Sequence, residues 1–258
     1  MIDLHFLQSV CDVVKTAGAI IERIANEGFE TDYKQEMDPV TTADHAANAY
    51  LHEHLLNLLP SSGWLSEETK DSGERLTKDY VWIVDPIDGT REFVAHVPHY
   101  AVSVALWEHG RIILGVVYNP VLHECFSALR DKGAWFNGAS MKSVNPRNER
   151  LLVLGSRSEI KRGEFMPFDK VFDIEAVGSI AYKLALIAAG RANATFSLGQ
   201  KNEWDIAAGV VLVEMAGGRV TDQDGVPFVF NQSNTLVNGV LAATSGDYSH
   251  VFSLIHQF

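Results

Sequence analysis

The chain has 258 residues, of which 47% are hydrophobic, and its formal net charge at pH 7 is −12. Such a chain can bury a large core, in one domain or in two closely joined halves. The acidic balance argues against a nucleic-acid polymer or an anionic membrane as partner, because no basic cluster offsets the acids. A small anionic substrate is still compatible with this charge if a local group supplies positive charge.

The cysteines and the apolar runs indicate where in the cell the protein is expected. Cys11 and Cys125 lack the spacing of metal ligands and are expected to be buried thiols. The stretch MIDLHFLQSV contains an early acid and no basic region, unlike a secretory signal. Lys183 interrupts the apolar run SIAYKLALIAAG, which falls short of the ~20 residues of a membrane span. We therefore expect a cytoplasmic protein without a membrane segment.

The first third of the chain predicts two helices. Apolar residues recur every three or four positions from Leu4 to Ala25, as in an amphipathic helix, and Gly28 ends the pattern. The polar segment FETDYKQEMDPV follows and is expected to be a loop. Thr41 is a good N-cap with Asp44 three residues later, and a second apolar stripe runs from there to Pro60.

The rest of the chain divides by its hydrophobic period. The runs YVWIV, YAVSVALW, RIILGVVY, LHECFSAL and GAWFNG, joined by short turns, predict an antiparallel meander. The last third alternates strands with helices, which predicts a second αβ layer. We place the boundary near Asn145 to Arg150, which divides the chain into residues 1–148 and 149–258. No linker separates these halves, so we expect them to share one core.

The segment VWIVDPIDGTREF, from Val81 to Phe93, joins an apolar strand directly to two aspartates. The turn that follows the strand would let Asp85 and Asp88 converge, with the carbonyl of Ile87 between them. Ligands that are all oxygen suit a hard divalent cation such as Mg²⁺. For either aspartate alone, a turn or cap role is the simpler interpretation. The whole motif after a buried strand favours the metal interpretation.

Other groups extend this acidic constellation. The backbone N–H groups of Gly89 and Thr90 begin a helical turn, where a phosphate would be held. GWLSEET ends in the carboxylates of Glu67 and Glu68, and EWDIAAG places Asp205 at a helix start. Alternatively, the two glutamates belong to a solvated turn and Asp205 is a helix cap.

The motifs LSEE, WIVDPIDGTREF and WDIAAG, with DPVTTAD upstream, resemble the inositol monophosphatase superfamily of Mg²⁺-dependent, lithium-sensitive phosphomonoesterases. The resemblance covers nearly the whole chain. It implies an α/β (α+β) fold with alternating αβαβα layers and a metal cluster between the two halves. It also implies a small phosphorylated metabolite as substrate and a homodimer.

Roles for the acids follow from the resemblance. Glu67 and Asp85 would bind a first Mg²⁺ ion together with the Ile87 carbonyl. Asp85, Asp88 and Asp205 would bind a second ion, and Glu67 would reach a third through water.

The same resemblance assigns the groups around the attacking water. Asp44 would work with Thr90, and Glu68 would support the site from behind. Without metal, the six acids would raise one another's pKa values, and two or three Mg²⁺ ions would neutralise them. The ions would also activate water and stabilise the leaving oxygen.

The substrate is less strongly indicated. Leu198 stands seven residues before Asp205, where inositol-type enzymes usually carry a glutamate that binds sugar hydroxyls. Gly178, Ser179 and Lys183 resemble the GSSLK segment of the CysQ group of 3′(2′),5′-bisphosphate nucleotidases, and DGTREF resembles the DGTKEF of that group. These features favour adenosine 3′,5′-bisphosphate.

Two further lysines are candidate substrate contacts, and other functions stay open. Lys201 in SLGQKNEWD would suit a second phosphate, and Lys34 matches a family lysine near the metal site. Lys183 is otherwise a snorkelling residue on a buried helix, and the other two are otherwise surface loop lysines. Inositol 1-phosphate or another sugar phosphate is the alternative substrate. A non-catalytic, metabolite-binding descendant is a lesser alternative.

Overall fold

Helices and strands alternate in groups along the chain. The structure is a computed structural model that describes residues 2–35, 38–144 and 150–257. The helices are α1 (Leu4–Glu27), α2 (Thr42–Leu58), α3 (Thr90–Val94), α4 (Arg157–Lys161), α5 (Ile180–Ala188), α6 (Glu203–Met215) and α7 (Tyr248–Ile255). The first strands are β1 (Thr31–Gln35), β2 (Asp38–Thr41), β3 (Gly63–Ser66), β4 (Tyr80–Asp88), β5 (Ala101–Glu108), β6 (Arg111–Asn119), β7 (Glu124–Leu129), β8 (Gly133–Phe136) and β9 (Ala139–Ser140). The later strands are β10 (Leu151–Gly155), β11 (Phe172–Ala176), β12 (Ala194–Ser197), β13 (Lys201–Asn202), β14 (Arg219–Thr221), β15 (Leu236–Val237) and β16 (Val240–Ala243).

Two sheets form the framework. The larger has the order β3-β4-β5-β6-β7-β8-β9, in which β3 and β4 are parallel and every other pair is antiparallel. The smaller has the order β11-β10-β12-β16-β14, with parallel pairing from β11 to β12 and antiparallel pairing beyond. The predicted meander is therefore observed, with the parallel strand β3 added at its edge.

Helical layers cover both sheets. Successive residues of β4 point to opposite faces of the large sheet. Trp82 and Val84 pack in a cluster with α1 and α2, whereas Val81 and Ile83 pack with α5 and α6. The second of these clusters also reaches the small sheet, whose other face packs against α7. The layers therefore run αβαβα, and the expected fold class is confirmed.

Burial of the large sheet on both faces explains its sequence pattern. A sheet covered by helices on both sides has apolar residues on both sides of each strand. Strands β4, β5 and β6 accordingly read as nearly continuous apolar runs, and most of their residues are buried.

The polar segment between α1 and α2 differs from expectation. It contains the antiparallel pair β1 and β2, with Thr31 opposite Thr41, where a loop was expected. Asp32 and Tyr33 of β1 are exposed, whereas Pro39, Val40 and Thr41 of β2 are buried. The first strand of the ribbon therefore carries no alternating apolar pattern. The predicted boundary between the two halves falls largely on residues 145–149, which lie outside the described residues, and that division stays a prediction.

Helix α1 bears on the membrane expectation. Among the described helices, it meets the length and composition of a membrane span, with a mean hydropathy of 1.2 over 18 residues. The expectation that no apolar segment approaches a span was therefore too strict. The buried stripe of α1, which includes Val10, Val14 and Ile21, packs with α2 and the large sheet. A core helix passes the same test, so the absence of a membrane segment stays a prediction.

The close approach of α6 to β6 gives a test of the packing. A Cβ atom added at Gly115 would lie 2.5 Å from Val211 Cγ1 and 2.7 Å from the Ala208 carbonyl oxygen. We expect Gly115→Ala to lower the free energy of unfolding by about 1–3 kcal/mol, because helix and sheet must separate. Denaturant titration measures this change. Gly246→Ala is the control, since a Cβ there meets no atom within 4 Å. Equal stability of the two variants would contradict the packing.

Candidate metal centre and adjoining cavity

The parallel pairing of β3 and β4 brings the first acids together. Ser66 lies opposite Val84, and the Glu67 N–H donates to the Val84 carbonyl at 3.2 Å. Because parallel strands end at the same edge of a sheet, the residues that follow, Glu67 and Asp85, become neighbours. Asp205 reaches the same point from the first turn of α6. One carboxylate oxygen from each of these three residues lies within 4.8 Å of the others.

An irregularity in β4 shapes this centre. The pairing of β4 with β5 shifts between Asp85 and Asp88, as at a β-bulge. The Asp85 side chain is buried and accepts a hydrogen bond from the Ile87 N–H at 3.0 Å. The Ile87 carbonyl accepts one from the Thr90 hydroxyl at 3.0 Å. Two hydrogen bonds therefore hold the irregular stretch of β4, one to the Asp85 carboxylate and one to the Ile87 carbonyl.

Asp88 is held separately. Its Oδ2 atom accepts hydrogen bonds from the Ser179 hydroxyl and from the Ala181 N–H at the start of α5, both at 2.6 Å. Within the described part of the chain, it lies outside the three-acid group of Glu67, Asp85 and Asp205. The Ser179 hydroxyl, which the sequence suggested as a substrate contact, is thus engaged with an acid of the site.

Asp44 and Thr90 lie next to each other in the fold. Asp44 Oδ2 accepts from the Thr41 N–H at 2.7 Å and the Thr41 hydroxyl at 2.6 Å, which forms the capping box of α2. Asp44 Oδ1 lies 3.1 Å from the Thr90 hydroxyl. Thr90 begins α3 directly after Gly89, whose φ of 98° favours glycine. A Cβ at Gly89 would also lie 3.0 Å from the His99 carbonyl oxygen.

Lys34 of the β1–β2 ribbon bridges two of the predicted acids. Its Nζ atom lies 2.9 Å from Glu67 Oε1 and 2.5 Å from Glu68 Oε1. Burial lowers the pKa of the Lys34 ammonium, but the two carboxylates outweigh burial and hold that pKa above its ordinary value. The ammonium therefore neutralises part of the acidic site from the ribbon side.

The remaining acids repel one another. Burial raises the pKa of Asp85 well above its ordinary value, and the charges of Glu67, Asp88 and Asp205 raise it further. Burial acts in the same way on the pKa of Asp205, followed by the charges of Asp88 and Glu67. Like charges gathered in a poorly solvated place favour either protonation or a bound cation. The donor set is entirely oxygen and suits a hard divalent ion.

A cavity of about 420 Å³ opens onto these acids. Its lining includes the predicted residues Glu67, Asp85, Ile87, Asp88, Gly89, Thr90, Ser179, Lys183, Lys201 and Asp205. Asp44, Glu68 and Lys34 are joined to this lining through Thr90 and Glu67, as described above. The structure thus gathers the predicted site residues around one cavity.

Basic side chains line the same cavity. Lys183 is buried, and its Nζ atom donates to the Val177 carbonyl at 3.2 Å, so it does not snorkel to the surface. Burial lowers the pKa of the Lys183 ammonium, against the opposing charges of Glu159 and Asp88. Arg91 and Arg162 also line the cavity and were not predicted from the sequence. Arg91 lies inside the DGTREF motif, so this motif could have identified it as a candidate lining residue.

Comparisons with known proteins point in one direction. A family model described as "Inositol monophosphatase family" matches residues 4–253. The chain is 32% identical to "Inositol monophosphatase 2" of Solanum lycopersicum over 241 residues, which covers 87% of this chain and 89% of the relative. It is 34% identical to "Nus factor SuhB" of Escherichia coli strain K12 over 208 residues, 77% of each chain.

Solved structures have the same fold. The IMPase of Thermotoga maritima matches with a TM-score of 0.83 and 27% identity, over 96% of this chain and 95% of its own. CysQ of Bacteroides thetaiotaomicron matches with a TM-score of 0.75 and 23% identity, over 93% of this chain and 97% of its own. At that identity, the second likeness shows the fold alone.

The raised pKa of Asp85 predicts how metal-free stability depends on pH. The folded state binds more protons than the unfolded state between the ordinary Asp value of 3.8 and the raised pKa. Stability without metal therefore falls as pH rises through that interval. At pH 7.5 with a chelator, we expect Asp85→Asn to raise the free energy of unfolding by roughly 1–3 kcal/mol, because one buried charge is removed.

Denaturant titrations with EDTA and with Mg²⁺ measure both effects. Mg²⁺ should stabilise the wild type much more than Asp85→Asn. Asp79→Asn, at an exposed side chain, is the control that should change neither value. A wild type that gains no stability from Mg²⁺, or a less stable Asp85→Asn protein in EDTA, would argue against the proposed electrostatics.

Proposed function

Because the chain belongs to the inositol monophosphatase family and is therefore a phosphoric monoester hydrolase, we propose that it hydrolyses a small phosphate ester with two or three bound Mg²⁺ ions. The observation that carries this proposal is the convergence of Glu67, Asp85 and Asp205 within 4.8 Å. A binding-only descendant would have no use for repelling, buried carboxylates, which are costly when they are not neutralised.

The proposed ligands are oxygen atoms on separate elements. Glu67, Asp85 and the Ile87 carbonyl would hold one ion, and Asp85, Asp88 and Asp205 would hold another. Since Asp88 Oδ2 already accepts two hydrogen bonds, Oδ1 is the oxygen proposed for the ion. Bound there, the cations would supply positive charge to the phosphate, lower the pKa of water and stabilise the leaving oxygen.

The chain's own groups would orient the reactants. We assign the attacking water to the Asp44–Thr90 pair, whose side chains lie 3.1 Å apart. Burial raises the pKa of Asp44 against the opposing hydrogen bonds from Thr41, so its carboxylate accepts a proton more readily near neutral pH. The Thr90 hydroxyl is fixed between Asp44 and the Ile87 carbonyl. Gly89 and Thr90 would hold the phosphate at the start of α3.

The basic residues favour a substrate with a second anionic group. Lys183, Lys201, Arg91 and Arg162 line the cavity that the acids line. One phosphate would lie at the metal centre, and the second would be held by these cations. Adenosine 3′,5′-bisphosphate is the substrate that we propose.

Inositol 1-phosphate is the second candidate. The relatives above 30% identity that carry the name inositol monophosphatase favour it. Leu198 disfavours it, because a leucine side chain cannot bind sugar hydroxyls. A homodimer and inhibition by lithium complete the proposal, and both rest on the family resemblance. A cytoplasmic location is proposed from the sequence features described above.

Parallel turnover assays on both substrates, with Mg²⁺ and with EDTA, test the proposal. We expect a higher kcat/KM for adenosine 3′,5′-bisphosphate and no turnover in EDTA. Lys201→Met should raise KM for the bisphosphate by about tenfold with little change in kcat, because a charge-assisted contact is lost. It should leave KM for inositol 1-phosphate nearly unchanged.

Two controls accompany these assays. Lys170→Met, at an exposed residue away from the cavity lining, should match the wild type. Asp205→Asn should abolish all turnover with an unchanged far-ultraviolet circular dichroism spectrum, because it removes a ligand without changing side-chain size. A large preference for inositol 1-phosphate would reject the proposed substrate, and an active Asp205→Asn enzyme would reject the metal assignment.

A further inference from the structure

A second cavity of about 430 Å³ adjoins the catalytic cavity, and Glu159 and Ser197 line both. The other lining residues of this side chamber are Glu164, Phe165, Phe196, Leu198 and Gly199. The chamber lies between the segment that begins with α4 and the end of β12. Its position beside the metal centre would let one ligand occupy both cavities.

The wall of the side chamber is largely aromatic and aliphatic. Phe165 and Phe196 are 3% and 2% exposed, and their rings stack with centroids 4.9 Å apart. Leu198, in contrast, is 44% exposed although it is a large apolar side chain. An apolar residue left open beside buried aromatic rings is typical of a cavity that receives an apolar or aromatic group.

One polar atom in the chamber lining lacks a partner. Glu159 is 4% exposed, and its Oε1 atom accepts a hydrogen bond from the Ser197 hydroxyl and lies 3.5 Å from Lys201 Nζ. Within the described part of the chain, Glu159 Oε2 is buried without a hydrogen-bond partner. A buried carboxylate oxygen without a hydrogen-bond partner costs free energy, and an N–H donor on a ligand would reduce that cost.

Leu198 makes the side chamber different from a site that binds a sugar. It occupies the position where the resemblance to inositol-type enzymes predicts a glutamate. The exchange replaces a group that binds hydroxyls with an apolar wall, while Glu159 supplies an acceptor from a different element. The side chamber therefore suits a flat heterocycle with an amino group better than a ring of hydroxyls.

We infer that the side chamber binds the base of a nucleotide and that Glu159 Oε2 accepts a hydrogen bond from an exocyclic amino group of that base. This inference rests on the proposed function, since the phosphate to be cleaved would lie in the catalytic cavity. Oε1 is already engaged by the Ser197 hydroxyl, so Oε2 is the acceptor of Glu159 that is left for a single donor. The site favours an aminopurine such as adenine over hypoxanthine, which carries a carbonyl in place of the amino group.

Binding of two nucleoside monophosphates tests the chamber apart from catalysis. Dissociation constants for adenosine 5′-monophosphate and inosine 5′-monophosphate are measured by calorimetry with Mg²⁺ present. We expect the adenosine compound to bind about tenfold more tightly or better, because the inosine carbonyl faces the carboxylate oxygen without a proton between them. Glu159→Gln should bring the ratio near one, because its amide can donate to the carbonyl.

Glu164→Gln is the matched control. Glu164 lines the same chamber, but its side chain is 43% exposed and pairs with Arg162 at 2.6 Å. It should keep the wild-type ratio of the two dissociation constants. Equal binding of the two compounds by the wild type, or an inosine preference, would overturn the inference.

The result is separable from the test of the proposed substrate. If adenosine 5′-monophosphate binds preferentially through Glu159 while inositol 1-phosphate is the better hydrolytic substrate, the chamber stands and the proposed substrate falls. If adenosine 3′,5′-bisphosphate is hydrolysed but the two monophosphates bind equally, the proposed function stands and the base site falls.

Discussion

Repulsion among Glu67, Asp85 and Asp205 is the constraint on which the rest of this structure depends. Their oxygens lie within 4.8 Å of one another, and burial raises the pKa values of Asp85 and Asp205. Such a group is tolerable when rigid elements hold it and a cation neutralises it. The layered fold supplies the rigidity. Glu67 follows β3, Asp85 lies within β4 and Asp205 lies in the first turn of α6, and these three elements pack in the core.

In three of the acids, one carboxylate oxygen accepts a hydrogen bond from the backbone. Asp44 and Asp205 each use Oδ2 to close the capping box of a helix, with the N–H of Thr41 at 2.7 Å and of Asn202 at 2.8 Å. Asp88 uses Oδ2 to bind the start of α5. One oxygen of each residue is thus fixed by the fold. For Asp205, a helix cap was the alternative to a site role. The two roles are compatible, because the cap uses only one of the two carboxylate oxygens.

Local sequence was sufficient to predict much of this arrangement. The apolar run before Asp85 and the helix signal at Asp205 are contained in short motifs, and so they identified their elements. The pairing of Ser179 with Asp88 spans 91 positions, and that of Lys34 with Glu67 spans 33. Contacts between residues so far apart in the sequence depend on how the layers of the fold pack. The β1–β2 ribbon was missed for another reason, since its exposed residues carry no apolar alternation.

The substrate side of the cavity was the least predictable part. Glu159 was not identified from the sequence as a site residue, and in the fold it is buried and accepts a hydrogen bond from the Ser197 hydroxyl. Arg162 reaches the cavity from the same segment. These residues lie on α4 and the turn that follows it, whereas the metal motifs lie on strands and helix starts.

The location of a bound ion tests the proposed metal centre most directly. Anomalous diffraction from a crystal soaked in Mn²⁺, as a substitute for Mg²⁺, would show the ion without reference to any substrate. We expect a peak coordinated by oxygens of Glu67, Asp85 and Asp205. A well-ordered crystal near neutral pH with no peak at these residues would contradict the proposed metal centre.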